Sequence, residues 1–307
     1  MSDKIELIRA RKRGAMPEPR IVKVGDIDTV YYDAGQGEPI VFIYGGNFGT
    51  GDSAPSAPAW DLNFVPLSSR YRVIAFDKLG QGYTDGPKRA EDFTMASVVR
   101  HAAEFIQALN LPPVHIVGHS RGGFAATRLT LEYQHLIRSL TIINSGTLST
   151  AVSTNELVLA RAPHPPFTRE SARWVYEGYC FSPKSVTEDW IDVVHDVLTW
   201  PAYRDIVKRF ADEQLGWRFF LPALARQKRE TLHWLAEGRL QRPTQIVWGS
   251  NDPTATVAGA YEMFETISAH QRQTALHLIN EAGHFPYREH PERFNALLAG
   301  FVDVASR

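Results

Sequence analysis

The feature that most constrains this chain is Gly118-His119-Ser120-Arg121-Gly122, a serine framed by glycines where one hydrophobic pattern gives way to another. Val114-His-Ile-Val117 before it has the composition of a short buried strand. From Gly122 to about Tyr133 the apolar residues recur at helical spacing. A chain that turns from strand to helix this abruptly forces the residue at the bend into strained backbone angles. A Cβ at Gly118 or Gly122 would collide with neighbouring backbone. The pattern therefore predicts an elbow that lifts the Ser120 hydroxyl above a sheet edge, with the unpaired N–H groups of a helix N-terminus behind it. That is the placement a nucleophile requires.

The remaining elements predict the scaffold. Ile27 to Tyr32 reads as an edge strand, and Pro39 to Tyr44 as a buried strand feeding a glycine-rich loop. Tyr71 to Phe76 is the next strand. A helix runs from Thr94 to about Leu109, with Val98, Ala102, Phe105, Ile106 and Leu109 on one stripe. Leu140 to Ile143 is again strand. From about Gly146 to Leu240 no strand is evident, and four helices are predicted: Glu170 to Cys180, Val186 to Leu198, Tyr203 to Ala211 and Arg218 to Leu235. Strands return at Thr244 to Trp248 and Ala275 to Ile279, with helices near Val257 to Ile267 and Pro291 to Val304. Alternating strands and helices imply a mostly parallel sheet covered on both faces, an α/β class. The division expected is an N-terminal arm (1–20), a core from 21–146 and 241–307, and an inserted helical lid (147–240).

A serine hydroxyl needs a base at neutral pH. His284 follows the last apolar strand, in Glu281-Ala-Gly-His284-Phe-Pro, where a parallel sheet delivers loops to its carboxyl edge. His119 is expected to pack locally. His115 and His119 are four residues apart, a metal-binding spacing on a helix but not on a strand, so no metal site is predicted. Asp252, in Trp-Gly-Ser-Asn-Asp252-Pro, leaves the end of another strand and is the carboxylate that would orient His284. The corresponding loop after Ile143 offers Asn144 and Ser145, neither of which carries a charge. Two backbone N–H donors are needed for the developing oxyanion. Arg121 supplies one, and Gly46 or Asn47 the other. The loop Gly45 to Gly51 lacks the Gly-Lys-Ser/Thr ending of a phosphate loop, so no nucleotide cofactor is expected.

With these residues in place the chain resembles the α/β-hydrolase superfamily, on the Tyr-Gly-Gly loop, Asp77-Lys-Leu-Gly80-Gln-Gly82, Gly118-His-Ser-Arg-Gly-Gly123, the Asp252 loop and Gly283-His284-Phe285. It is most similar to the meta-cleavage-product hydrolases, on the glycine-rich loop, the stretch Phe181 to Glu188 and the run Glu289-His290-Pro291. The resemblance implies the α/β-hydrolase fold, a Ser120–Asp252–His284 triad, no cofactor, and hydrolysis of a carbon–carbon bond in a dienol keto acid from aromatic-ring degradation. It also implies that His284 helps move a proton so that the dienol becomes a ketone before cleavage. Three positions differ from that subfamily's pattern. The elbow is Gly-His-Ser-Arg-Gly where Gly-Asn-Ser-Met-Gly is usual, Val194 or His195 stands where a lid arginine is usual, and Phe285 stands where tryptophan often follows the base. An aspartate at the elbow would mark epoxide hydrolases and dehalogenases; this elbow carries serine.

The functions weighed are therefore a carbon–carbon hydrolase, a carboxylesterase or lactonase, and a non-catalytic ligand receptor of the same fold. Trp174, Tyr176, Tyr179, Phe181 and Trp190 in the helical segment suggest an apolar or aromatic substrate. Of these, Trp174, Tyr179 and Trp190 are expected to contact it, together with Gly45 and Phe285. Arg121 could steer a substrate carboxylate. The net charge of −1 over 307 residues argues against nucleic acid as a partner. The basic cluster Lys4, Arg9, Arg11, Lys12, Arg13 is read as a solvated arm. No apolar run reaches the length of a membrane span, no secretory leader is evident, and the single cysteine, Cys180, excludes an intrachain disulfide; cytoplasmic residence is the expectation. The arm and the apolar C-terminal helix leave room for a homodimer.

Overall fold

The structure, a computed structural model, describes residues 2–150, 159 and 161–307. Eight strands form one sheet: β1 (Arg20–Val24), β2 (Ile27–Ala34), β3 (Pro39–Ile43), β4 (Arg72–Phe76), β5 (Val114–His119), β6 (Ile137–Ile143), β7 (Thr244–Gly249) and β8 (Thr274–Ile279). Their spatial order is β1-β2-β4-β3-β5-β6-β7-β8. Strand β2 runs antiparallel to both of its neighbours, β1 and β4, and all the other pairings are parallel. The predicted edge strand Ile27 to Tyr32 is thus interior. Arg20–Val24 takes the edge instead, and its Arg-Ile-Val-Lys-Val sequence explains both outcomes. The charged residues Arg20 and Lys23 suit an unpaired edge, and they weaken the hydrophobic signal that would have revealed a strand.

The central parallel strands β3, β5 and β7 bury both faces, whereas the edge strand β8 is half-buried. In β3, Ile40 and Phe42 join one core and Val41 and Ile43 the other, as the two-residue period of a strand requires. Helices α1 (Ser2–Arg9), α2 (Asp61–Ser68), α3 (Met95–Ala108) and α4 (Arg121–Glu132) precede the inserted segment. Phe64 of α2 packs on the Phe42 side, whereas Val98, Phe105, Phe124 and Leu129 of α3 and α4 pack on the Val41 side. Each such fully buried side chain contributes about 1.5–3 kcal/mol. Helix α2 escaped sequence reading because Pro66 lies within it and its apolar residues form no single stripe.

Between β6 and β7 lie α5 (Arg169–Tyr179), α6 (Glu188–Leu198), α7 (Pro201–Asp212) and α8 (Leu221–Ala236). Thr168 caps α5 by accepting the Ser171 N–H, and Thr187 caps α6 by accepting the Trp190 N–H, both at 3.2 Å. Each cap is worth about 1 kcal/mol. These helices fall in the span 147–240 expected to be a lid, of which 151–158 and 160 lie outside the described residues. After β7 come α9 (Val257–Ser268), α10 (Pro286–Glu289) and α11 (Pro291–Ala305).

The N-terminal arm is not simply solvated. Ile8 and Met16 are buried, Lys4 pairs with Asp85 at 2.7 Å, and the Arg11 guanidinium lies 5.2 Å from the Trp200 ring centre. A basic amphipathic segment covers apolar surface with its stems while its charges find carboxylates. Met1 lies outside the described residues.

Strand register brings the site together. Ile43 pairs with Gly118, His119 with Ile143, and Gly249 with Ile279. The carboxyl ends of β3, β5, β6, β7 and β8 therefore lie side by side, and the five loops that leave them share one rim.

Candidate active site

Ser120 stands at the turn from β5 into α4 with φ 54° and ψ −124°, a conformation an L-residue adopts only when held. Its N–H donates to Ile143 O at 2.8 Å, and Ser145 Oγ donates to its carbonyl at 2.6 Å. Glycines make the bend possible. A Cβ on Gly122 would press into the carbonyl oxygens of Ile43 and Tyr44, and one on Gly118 into the backbone of Gly122. The helix N-terminus begins at once, with Arg121.

His284 Nδ1 lies 2.6 Å from Asp252 Oδ2. Both side chains are almost fully buried. The two oxygens of Asp252 have separate duties. Oδ1 accepts the Thr254 N–H at 2.8 Å, the Thr254 hydroxyl at 2.9 Å and the Ala255 N–H at 2.9 Å. Oδ2 takes His284 and also Asn144 Nδ2 at 2.7 Å. Burial by itself would raise the carboxyl's pKa. The facing charge of His284 and these hydrogen bonds outweigh it and hold the group below its ordinary value, so it is ionised at neutral pH. An ionised acceptor fixes a proton on Nδ1 of His284, so that Nε2 is the ring nitrogen not engaged by Asp252.

The His284 loop is itself pinned. His284 N–H donates to Tyr179 O at 2.9 Å, and Glu289 accepts the N–H groups of Phe181, Gly283 and Phe285 at 2.7, 2.9 and 3.2 Å. Burial raises the Glu289 pKa although those three donors pull it down. The end of α5 and the His284 loop are thereby joined by one carboxylate. His119 is buried, as expected of a locally packed residue; its Nε2–H donates to His284 O at 2.8 Å. Burial first, then the nearby His284, lowers its pKa well below the usual value, so its ring is neutral.

Above these groups is a cavity of about 430 Å³. Gly45, Gly46, Asn47, Ser120, Arg121 and His284 line its floor. Tyr179, Trp190 and Phe285 line its wall, with Phe285 edge-on to Trp190 at 5.2 Å between ring centres. Asp252 sits behind His284 and does not line the cavity. Trp174 is also not among the lining residues, contrary to expectation. Helix α5 presents Val175, Tyr176 and Tyr179, and Trp174 is turned away from that face by helical geometry. Phe181, another aromatic singled out in the sequence, is 47% exposed and does not line the cavity either.

Val175, Tyr287, Thr254 and Asp52 line it without having been anticipated. Tyr287 had a signal, an aromatic three residues after His284, but only the short α10 turns it inward. Asn144 was set aside because it carries no charge, yet it holds Asp252. Among the described residues that line the cavity, Arg121 is the only arginine or lysine. Its guanidinium lies 5.8 Å from the Phe220 ring centre. Val194 is buried, and neither it nor His195 reaches the cavity wall. Among the described residues no cluster of three His, Cys, Asp or Glu side chains could hold a metal ion, and no helix is long and apolar enough to cross a membrane.

Comparison with known proteins gives the same fold. The family model described as alpha/beta hydrolase fold matches residues 38–173. The chain is 29% identical to the 2-hydroxy-6-oxo-6-(2'-aminophenyl)hexa-2,4-dienoic acid hydrolase of Metapseudomonas resinovorans, covering 97% of this chain and 96% of that one. It is 25% identical to the 2-hydroxy-6-oxo-2,4-heptadienoate hydrolase of Pseudomonas putida, covering 92% and 95%. Among solved structures, the meta-cleavage product hydrolase of Pseudomonas fluorescens superposes with a TM-score of 0.74 at 23% identity, covering 95% of this chain and 99% of that one.

Proposed function

This chain is a hydrolase of the α/β-hydrolase fold that resembles the meta-cleavage-product hydrolases, and from that premise we propose that it cleaves a carbon–carbon bond with Ser120 as nucleophile, His284 as base and Asp252 as the acid that orients it. The observation that carries the reading is the 2.6 Å His284–Asp252 contact beside a cavity into which Ser120 is raised on a strained turn.

In this reading His284 first moves a proton so that a dienol becomes its keto tautomer. Its Nε2 then takes the Ser120 proton as Oγ adds to the carbonyl carbon. The oxygen that becomes negative is met by N–H groups at Arg121 and at the Gly46–Asn47 turn. Each such donor lowers the barrier by about 2.7–4 kcal/mol. Collapse breaks the carbon–carbon bond, the departing dienolate takes up a proton, and His284 activates water to release the acyl group as an acid. The helices of the inserted segment serve as a lid. Tyr179, Trp190 and Phe285 receive an apolar or aromatic part of the substrate, and Arg121 attracts its carboxylate.

The departures at His119, Arg121 and Val194 favour a second reading, hydrolysis of an ester or lactone by the same groups. Two experiments decide. A fluorophosphonate probe should label wild-type protein and not Ser120→Ala; an unlabelled wild type would defeat both readings. Turnover of a ring-fission dienoate should then be compared with aryl and alkyl esters. Exclusive ester turnover would sink carbon–carbon cleavage and leave the second reading standing.

A further inference from the structure

Lys78 follows β4 and Asp77, and its side chain is fully buried. An amine out of water must find acceptors. Nζ donates to Gly45 O at 2.7 Å and to Gly46 O at 2.9 Å, and lies 4.8 Å from the centre of the Tyr44 ring. Burial, then the charge of Arg121, lowers its pKa. Charged or neutral, the amine keeps the two N–H donors that this geometry uses.

The consequence lies in the peptide units that carry those carbonyls. In a trans peptide the C=O and the following N–H point in opposite directions, and the described residues contain no cis peptide. Drawing the Gly45 and Gly46 carbonyls onto one amine turns the N–H groups of Gly46 and Asn47 the other way. Two successive peptides present their N–H groups on one side when the residue between them is helical or left-handed rather than extended. Gly46, between them, has φ +74°, which glycine takes without strain. Gly45, Gly46 and Asn47 all line the cavity, and a Cβ on Gly45 would come within 2.8 Å of Ser120 Cβ.

We propose that Lys78 is a positioning residue for the oxyanion site: by gathering two consecutive carbonyls it aims two consecutive N–H groups, of Gly46 and Asn47, at the oxygen that turns negative when Ser120 attacks. The inference rests on the nucleophilic reading of Ser120 and sharpens it, because Gly46 and Asn47 then act together rather than as alternatives. Lys78 itself touches no substrate.

The test compares Lys78→Met, which keeps length and removes the donors, with Lys78→Gln, which restores one. Three quantities are read on folded protein: fluorophosphonate labelling rate, affinity for a trifluoromethyl ketone that forms the tetrahedral adduct, and kcat and KM for the substrate the wild type turns over. Lys78→Met should lower kcat, labelling rate and ketone affinity together by about 100-fold, the scale of losing one aimed donor. KM should stay within about threefold, since the oxyanion forms only after binding. Lys78→Gln should recover part of the loss. A merely structural lysine would lower melting temperature and leave the ketone-to-substrate affinity ratio unchanged, which overturns the proposal. So does a folded Lys78→Met with wild-type kcat. If Lys78→Met does not fold, Lys78→Gln carries the test: reduced kcat at unchanged KM supports the proposal, and unchanged kcat overturns it. Failure of wild-type protein to label would instead indict the nucleophilic reading of Ser120.

Discussion

Asn144 Nδ2 donates to Asp252 Oδ2 at 2.7 Å, on the same oxygen that receives His284, while Asn144 Oδ1 accepts the Gly249 N–H at 3.0 Å. One carboxamide thus ties Asp252 to the end of β7, and its Nδ2 also donates to Gly283 O at 3.4 Å. Asn144 also has φ 41°, a value asparagine tolerates better than most residues.

Asn144→Ala should leave the Gly249 N–H without its partner and free Asp252 to shift. The expected result is a loss of about 1–3 kcal/mol of stability by urea denaturation. Turnover should fall about tenfold without vanishing, because His284 and Asp252 both remain. Asn144→Asp should be worse for activity, since a second carboxylate beside Asp252 raises the pKa of one of the pair.

Glu289 joins the end of α5 to the His284 loop through the N–H groups of Phe181, Gly283 and Phe285. Glu289→Ala orphans three donors at once. Amide hydrogen exchange at those three residues should accelerate, and kcat should fall as His284 loses its fixed pose. Unchanged protection at Gly283 and Phe285 would show that the carboxylate does not hold the loop.

Gly122→Ala tests the elbow. Its Cβ would meet the carbonyls of Ile43 and Tyr44, which are backbone and cannot rotate aside. The variant should lose about 1–3 kcal/mol of stability from overpacking. Fluorophosphonate labelling should fall by at least tenfold, because Ser120 is displaced from its turn.

His101 gives a pH prediction. Burial, and secondarily Arg100, lowers its pKa to about 4. The folded state therefore holds it neutral, with Nε2 2.9 Å from Thr29 Oγ1, while the unfolded chain binds a proton near pH 6.5. Between those values unfolding takes up a proton, so stability falls as pH falls. The slope from this one group is about 1.4 kcal/mol per pH unit. His115, also lowered to about 4, adds to the loss, and Asp77, raised to about 6 by burial, opposes it. A difference measurement isolates His101. From pH 6 to 4.5, wild type should lose about 1.4 kcal/mol per unit more than His101→Gln in urea midpoints converted to free energy. Parallel curves for the two proteins would contradict the assignment.

Most of the fold was legible because its signals are local. Short apolar runs bounded by glycine and proline located seven of the eight strands, and apolar stripes located the long helices. Arg20–Val24 and Asp61–Ser68 escaped because charges or a proline interrupt their patterns. At the candidate site, the positions of Ser120, His284 and Asp252 were legible because each sits in a short motif at a strand's carboxyl end. Trp174 was misjudged because composition counts aromatics without their phase around the helix. Tyr287 and Lys78 were overlooked because their places depend on how distant segments pack.

By itself, then, the sequence determined a parallel sheet interrupted by helices, an elbow that only glycine could allow, and a serine, histidine and aspartate in the order that sheet can use. Those are matters of local backbone geometry and residue chemistry, which neighbouring residues fix. Only the tertiary structure decided that Asn144 shares an oxygen of Asp252, that Glu289 bridges α5 to the His284 loop, and that Lys78 draws the glycine loop's carbonyls inward. Each of those contacts joins residues more than 30 positions apart or in different elements. Such pairings are set by strand register and by the need of buried polar groups for partners, neither of which is written in any one stretch of chain.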